Sequence, residues 1–183
     1  MLEEPALLVQ PWLPAQQLRW PAQTASAAWA RLLINANTDA RVGCALWHGS
    51  TRRGWLAPVA SRKIEVFESE DLSLLVTLWR PWGIFRSWQI HDAEENQLGQ
   101  IAGTTLRDGN GARLASLRQS ADSRERSWIS MAGLELGSWH VVARDDLIFR
   151  FGEVTERNPF LRMVVLAGLL ALPPHPACQS RAH

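Results

Sequence analysis

A chain of 183 residues fits one domain, and a domain of that size buries roughly 70% of its unfolded surface, so it needs neither a disulfide nor a metal to hold a core. The 19 basic and 18 acidic residues leave a formal net charge of +1, which removes any bulk electrostatic case for a nucleic-acid partner. Two distant cysteines, Cys44 and Cys178, make no disulfide framework, and the opening Met-Leu-Glu-Glu-Pro carries acids where a signal peptide carries positive charge, so the protein is expected in the cytoplasm.

In chain order, residues 1–25 hold Pro5, Pro11, Pro14 and Pro21. That density argues against a helix or a central strand and predicts an irregular leader, with Trp12 and Trp20 able to pin it to the domain. A single domain is expected over 26–172. Thr24 to Arg31 is compatible with a helix by composition, whereas a local repeat favours a strand for Leu32 to Asn35. In that repeat Ile34 to Gly43 lines up with Ile90 to Gly99, each an apolar strand end, a polar turn, then an apolar residue and Gly; Arg107 to Leu114 is a looser third copy.

The middle of the chain alternates with period two, the strand signature: Ile64 and Val66, then Leu72, Leu74, Val76 and Leu78, then Trp88 and Ile90, and later Leu147, Phe149 and Phe151. Turn signals punctuate it at Asp92 to Asn96, Asp108 to Gly111, Ala132-Gly133 and Asp145-Asp146. Short strands at this spacing predict an antiparallel sandwich or barrel.

Asn158-Pro159 then opens an apolar run that Pro173-Pro174 closes. Asn is a good N-cap and Pro is favoured at the first helical position, so a helix is predicted over 159–172, with a flexible tail at 173–183. Phe160, Val164, Leu166 and Leu169 are the expected helix core, and Arg162 is its one charge. A helix apolar all round must be buried on every side. Fourteen residues make about 21 Å of helix, short of the roughly 30 Å a membrane span needs, which favours a core helix over a span.

Three stretches carry a resemblance: Val66 to Leu78, Trp88 to Gly99, and Asn158 to Gly168. Together with the order of elements, many hairpins and then one apolar helix, the chain resembles the tubby C-terminal-like superfamily in its phospholipid scramblase and LURP-one-related branch, over residues 60–172. The resemblance implies a mainly β fold, a closed antiparallel barrel of about a dozen strands around one buried hydrophobic C-terminal helix. It also implies an anionic phospholipid or membrane surface as partner and a location peripheral to the membrane, since the family includes phosphoinositide-binding proteins and lipid scramblases. The cysteine cluster and the calcium loop of scramblases have no counterpart: Asp92 to Asn96 is acidic but too short for a twelve-residue loop.

The chemistry-bearing candidates are few. Trp79 to Trp88 interleaves aromatics with arginine, and Arg80, Trp82, Phe85 and Arg86 suit contact with a headgroup or a membrane interface. The plainer reading is a hairpin loop whose tryptophans fold back over the barrel mouth. Arg52, Arg53 and Trp55 repeat the pattern on a smaller scale and, with Lys63, could line a phosphate pocket; two exposed arginines are more often a solvated turn. Arg118, Arg124 and Arg126 sit among Asp122 and Glu125 and read as a solvated loop. His91, Asp92, Glu94 and Glu95 lie too close along one turn to converge on a metal ion. No Gly-x-Ser-x-Gly elbow, His-Glu-x-x-His pair or nucleotide fingerprint is present, so neither catalysis nor a cofactor is expected. The two functional expectations are a lipid- or membrane-surface-binding module without catalysis and, alternatively, a soluble structural or protein-interaction domain.

Overall fold

The computed structural model describes residues 6–12, 28–33, 41–48, 62–68, 73–81, 87–120, 124–142 and 147–172. Among them are twelve strands: β1 (Ala6–Trp12), β2 (Ala28–Leu33), β3 (Arg41–His48), β4 (Lys63–Glu68), β5 (Leu74–Trp79), β6 (Ser87–Asp92), β7 (Gln97–Ala102), β8 (Thr105–Asp108), β9 (Arg113–Gln119), β10 (Glu125–Ser130), β11 (Glu135–Val141) and β12 (Leu147–Phe151). A 3-10 turn at Glu153–Thr155 leads to helix α1 (Pro159–Ala171). Each strand pairs antiparallel with its neighbour in sequence, and β1 pairs with β12, which closes the sheet into a barrel.

The alternation dictates which side chains go inside. Ile64, Val66, Val76, Leu78, Trp88, Ile90, Phe149 and Phe151 all belong to one buried cluster. Helix α1 belongs to the same cluster and packs on β5, β6, β7 and β11. The helix starts where expected: the Asn158 side chain accepts the Leu161 N–H at 3.0 Å, and Pro159 follows at the first helical position. It ends at Ala171, with Leu172 as the capping residue. Val164, Leu166 and Leu169 are buried as anticipated.

Three expectations are corrected. Phe160 is not core: it is 59% exposed, because the first helical turn stands outside the barrel mouth and burial begins at Arg162. That arginine is only 4% exposed, and its guanidinium lies 4.7 Å from the centre of the Phe151 ring. An aromatic face lets a charge enter where water cannot follow. Nor is the whole leader irregular, since Ala6–Trp12 is the strand that closes the barrel. Among the described residues its pairing with β12 covers Ala6 to Val9, whereas Pro11 is paired on the β2 side, opposite Ala30. A proline is tolerated where one edge of a strand asks for no donor. Ala28 to Arg31 is likewise strand rather than helix.

Helix and wall meet most closely at Gly168. A Cβ there would lie 2.8 Å from Nε1 and 3.1 Å from Cε2 of Trp128, itself fully buried. The glycine is what lets the indole approach the helix backbone this closely.

Three hairpins share one turn. Asp92, Asp108 and Ser130 each accept at their carbonyl the N–H three residues on, and their own N–H donates four residues on, to Asn96, Ala112 and Leu134. The side-chain oxygens of all three accept that fourth residue's N–H as well. The third turn residue is left-handed, Gly111 and Gly133 in two copies but Glu95, at φ 66°, in the other. A side chain in that region costs about 1 kcal/mol relative to glycine. Glu95→Gly is therefore expected to raise stability by about 0.5–1 kcal/mol, read as a higher urea midpoint at unchanged slope.

Strand direction separates two ends. The turns β6–β7, β8–β9 and β10–β11 lie at the end where α1 enters, and the turn between β7 and β8 lies at the end where α1 leaves.

Candidate functional site

A cleft of about 620 Å³ runs along the outer wall of β4, β5 and β6. Alternation turns Lys63 and Glu65 outward from β4 while Ile64 and Val66 face the core. Register aligns these with the outward residues of the next two strands. Lys63 stands opposite Trp79 and Trp79 opposite Gln89; Glu65 stands opposite Thr77 and Thr77 opposite His91. Arg62 and Arg80 complete the cleft at the helix-exit end, where the Arg80 N–H donates to the Arg62 carbonyl at 2.8 Å. Lys63 Nζ lies 2.6 Å from Glu65 Oε1. The Arg80 guanidinium lies 5.0 Å from the centre of the Trp88 ring, and Trp79 is 39% exposed beside it.

Asp92, Ala93 and Glu95 close the other end of the cleft. The Asp92 carboxylate accepts from the Asn96 side-chain amide at 3.0 Å and from the backbone N–H groups of Asn96 and Glu94 at 2.8 and 3.1 Å. The Asn96 amide, followed by those backbone donors, holds its pKa below the ordinary carboxylate value. Its oxygens thus serve the turn, and Glu65 is engaged by Lys63. The row Glu65, Thr77, His91 places the hydroxyl between acid and histidine, the wrong order for a triad, in which histidine must stand between nucleophile and acid. Among the described residues no group of histidine, cysteine and carboxylate side chains could hold a metal ion.

Beyond the cleft, charge is segregated along the barrel axis. Among the described residues, Arg62, Lys63, Arg80, Arg118, Arg124 and Arg126 stand at the helix-exit end, with Glu125 as the carboxylate among them. Arg126 turns inward: its guanidinium lies 5.4 Å from the Trp139 ring centre, its Nη1 donates to the Leu172 carbonyl at 3.3 Å, and burial lowers its pKa. It thereby meets the negative end of the helix dipole. At the helix-entry end Asp92, Glu94, Glu95 and Asp108 occupy the turns, and Glu135, Glu153 and Glu156 follow around the helix entrance. The arginines at that end include, among the described residues, Arg41 at the start of β3, Arg107, Arg113, Arg150 and Arg157.

Of the residues singled out from sequence, Arg80 is in the cleft and Lys63 joins it there. Trp82, Phe85 and Arg86 lie outside the described residues, as do Arg52, Arg53 and Trp55. Arg118 and Arg124, read as a solvated loop, stand at the basic end. The Glu65, Thr77, His91 row was not anticipated; alternation marks each as outward-facing, but only register sets them side by side.

No protein-family model matches the chain. No curated protein matches it either. Among solved structures, the X-ray structure of a protein from Arabidopsis thaliana is similar, with a TM-score of 0.53 at 9% sequence identity, covering 92% of this chain and 91% of that one. At that identity the likeness concerns the fold.

Proposed function

We propose that this chain is a tubby-like binding module without catalysis, which docks the helix-exit end of its barrel on an anionic phospholipid surface. The observation that carries this reading is the gathering of Arg62, Lys63, Arg80, Arg118 and Arg124 at one end of a barrel whose net charge is close to zero. Trp79, exposed in the same place, supplies the amphipathic ring that suits the headgroup level. The mouth of the cleft between Arg62, Lys63 and Arg80 is where a headgroup phosphate would sit. No helix of the described residues is long and apolar enough to cross a membrane, so attachment is argued from the surface alone.

Co-sedimentation with vesicles tests it. Binding to phosphatidylcholine vesicles containing phosphatidic acid should exceed binding to phosphatidylcholine alone and weaken as salt rises. Each cation near such a surface contributes about 1 kcal/mol, so Arg118→Gln with Arg124→Gln should weaken binding by roughly thirty-fold. Equal binding to both vesicles, or none at any salt, would overturn the reading in favour of a soluble interaction domain.

A further inference from the structure

The opposite end of the barrel has a different composition. Met131, Leu134, Val154 and Phe160 are 68%, 49%, 50% and 59% exposed, and all four stand where α1 enters. Met131 and Leu134 come from the β10–β11 turn, Val154 from the 3-10 turn, and Phe160 from the first turn of α1. These elements are neighbours: the Gly152 N–H donates to the Leu136 carbonyl at 3.0 Å, and the 3-10 turn packs on both β11 and α1. Val154, two residues beyond Gly152, and Leu134, two residues before Leu136, thus belong to adjoining segments at this end of the barrel. Glu135, Glu153 and Glu156 alternate with these apolar residues along the chain, with Arg157 as the cation between them and the helix.

An apolar centre inside a charged rim is the anatomy of a docking surface. The sign of the rim selects the occupant. An anionic membrane is repelled by it, and a second copy of the chain docking by the same face would bring the same carboxylates face to face. The basic helix-exit end of a second copy exposes Trp79 but, among the described residues, no apolar stripe. A segment whose apolar stripe is flanked by lysine or arginine satisfies both parts. We infer that the helix-entry end binds a basic amphipathic helix of a protein partner, the apolar stripe on Phe160, Val154, Leu134 and Met131 and the cations on Glu135, Glu153 and Glu156. A module so built would hold that partner on the side turned away from the surface that its basic end contacts.

The probe is a labelled five-turn amphipathic peptide of leucine and lysine, with a leucine–glutamate peptide of the same pattern beside it, followed by fluorescence anisotropy with the full chain. The lysine peptide should bind and weaken with salt, and the glutamate peptide should not bind. Phe160→Ser and Leu134→Ser, both at exposed positions and checked for unchanged thermal melting, should each weaken binding at least ten-fold. Arg118→Gln with Arg124→Gln should leave it unchanged while weakening vesicle binding roughly thirty-fold, so failure here is distinguishable from failure of the membrane reading. The inference is overturned if the lysine peptide does not bind, if both peptides bind alike, or if the serine variants bind as well as the parent. It is also overturned if Phe160→Ser abolishes self-association or capture by neutral vesicles, which would assign the surface to a second copy or to lipid.

Discussion

Leu166→Asp should leave no soluble folded protein. Leu166 is fully buried on the one helix inside the barrel. The substitution removes roughly 2 kcal/mol of apolar burial and leaves a carboxylate without water, at a further effective penalty of several kcal/mol. Domains hold only about 5–15 kcal/mol in total. Leu166→Ala separates this from general sensitivity, since it should cost about 2–5 kcal/mol and still fold in the cold. Phe160→Asp, six residues earlier on the same helix but 59% exposed, should change stability by no more than about 0.5 kcal/mol. Soluble yield and thermal melting of the three variants check the contrast. A Leu166→Asp protein that melts like the parent would refute the burial of α1.

Gly168→Ala tests helix against wall. On propensity alone, alanine should stabilise an interior helical position by about 1 kcal/mol. Here the added methyl would sit 2.8 Å from Trp128 Nε1, and the indole, buried on all sides, has nowhere to move. Overpacking of this kind costs about 1–3 kcal/mol, and with the nearest contact so short the upper part of that range applies, for a net loss of about 1–2 kcal/mol. Trp128→Phe removes the atoms in the way. The double variant should therefore be more stable than the two separate losses predict, with a coupling of at least about 0.5 kcal/mol in urea titrations. Simple additivity would mean that the two residues are not in contact.

Period two placed β4, β5, β6 and β12 and turned Ile64, Val66, Val76, Leu78, Trp88, Ile90 and Phe149 inward, because alternation is a property of the strand itself. Leu74 fails it, since a bulge in the β4–β5 ladder leaves it on the outer cleft and turns Leu75 to the core. The capping pair Asn158-Pro159 located the start of α1 to the residue. What stayed hidden depended on the third dimension. The strand over Ala6–Trp12 was masked by Pro11, a residue that counts against a paired strand wherever a backbone donor is needed. Phe160 looked like core because nothing in an apolar run tells which turn protrudes. Ser130 to Leu134 repeats the Asp92 turn in its hydrogen bonds, yet shares none of its residues, so no alignment of letters would pair them. The clearest case is charge. A net value of +1 removed electrostatics from the argument, whereas the strands run alternately up and down, carry most of the described carboxylates to one end and leave Arg62, Lys63, Arg80, Arg118 and Arg124 beside Glu125 at the other. That sorting needs only the strand directions, but it needs all of them.

The near-complete pairing of each strand with the next has a consequence for how the barrel forms. Eleven of the twelve seams join neighbours in sequence and can zip locally as the chain emerges; the β1–β12 seam joins the two extremes. The element that fills the interior is also the last of the described elements to be made. Without α1 the apolar inner face of the sheet has nothing to cover it, so closure of the barrel and burial of this single thirteen-residue segment depend on each other.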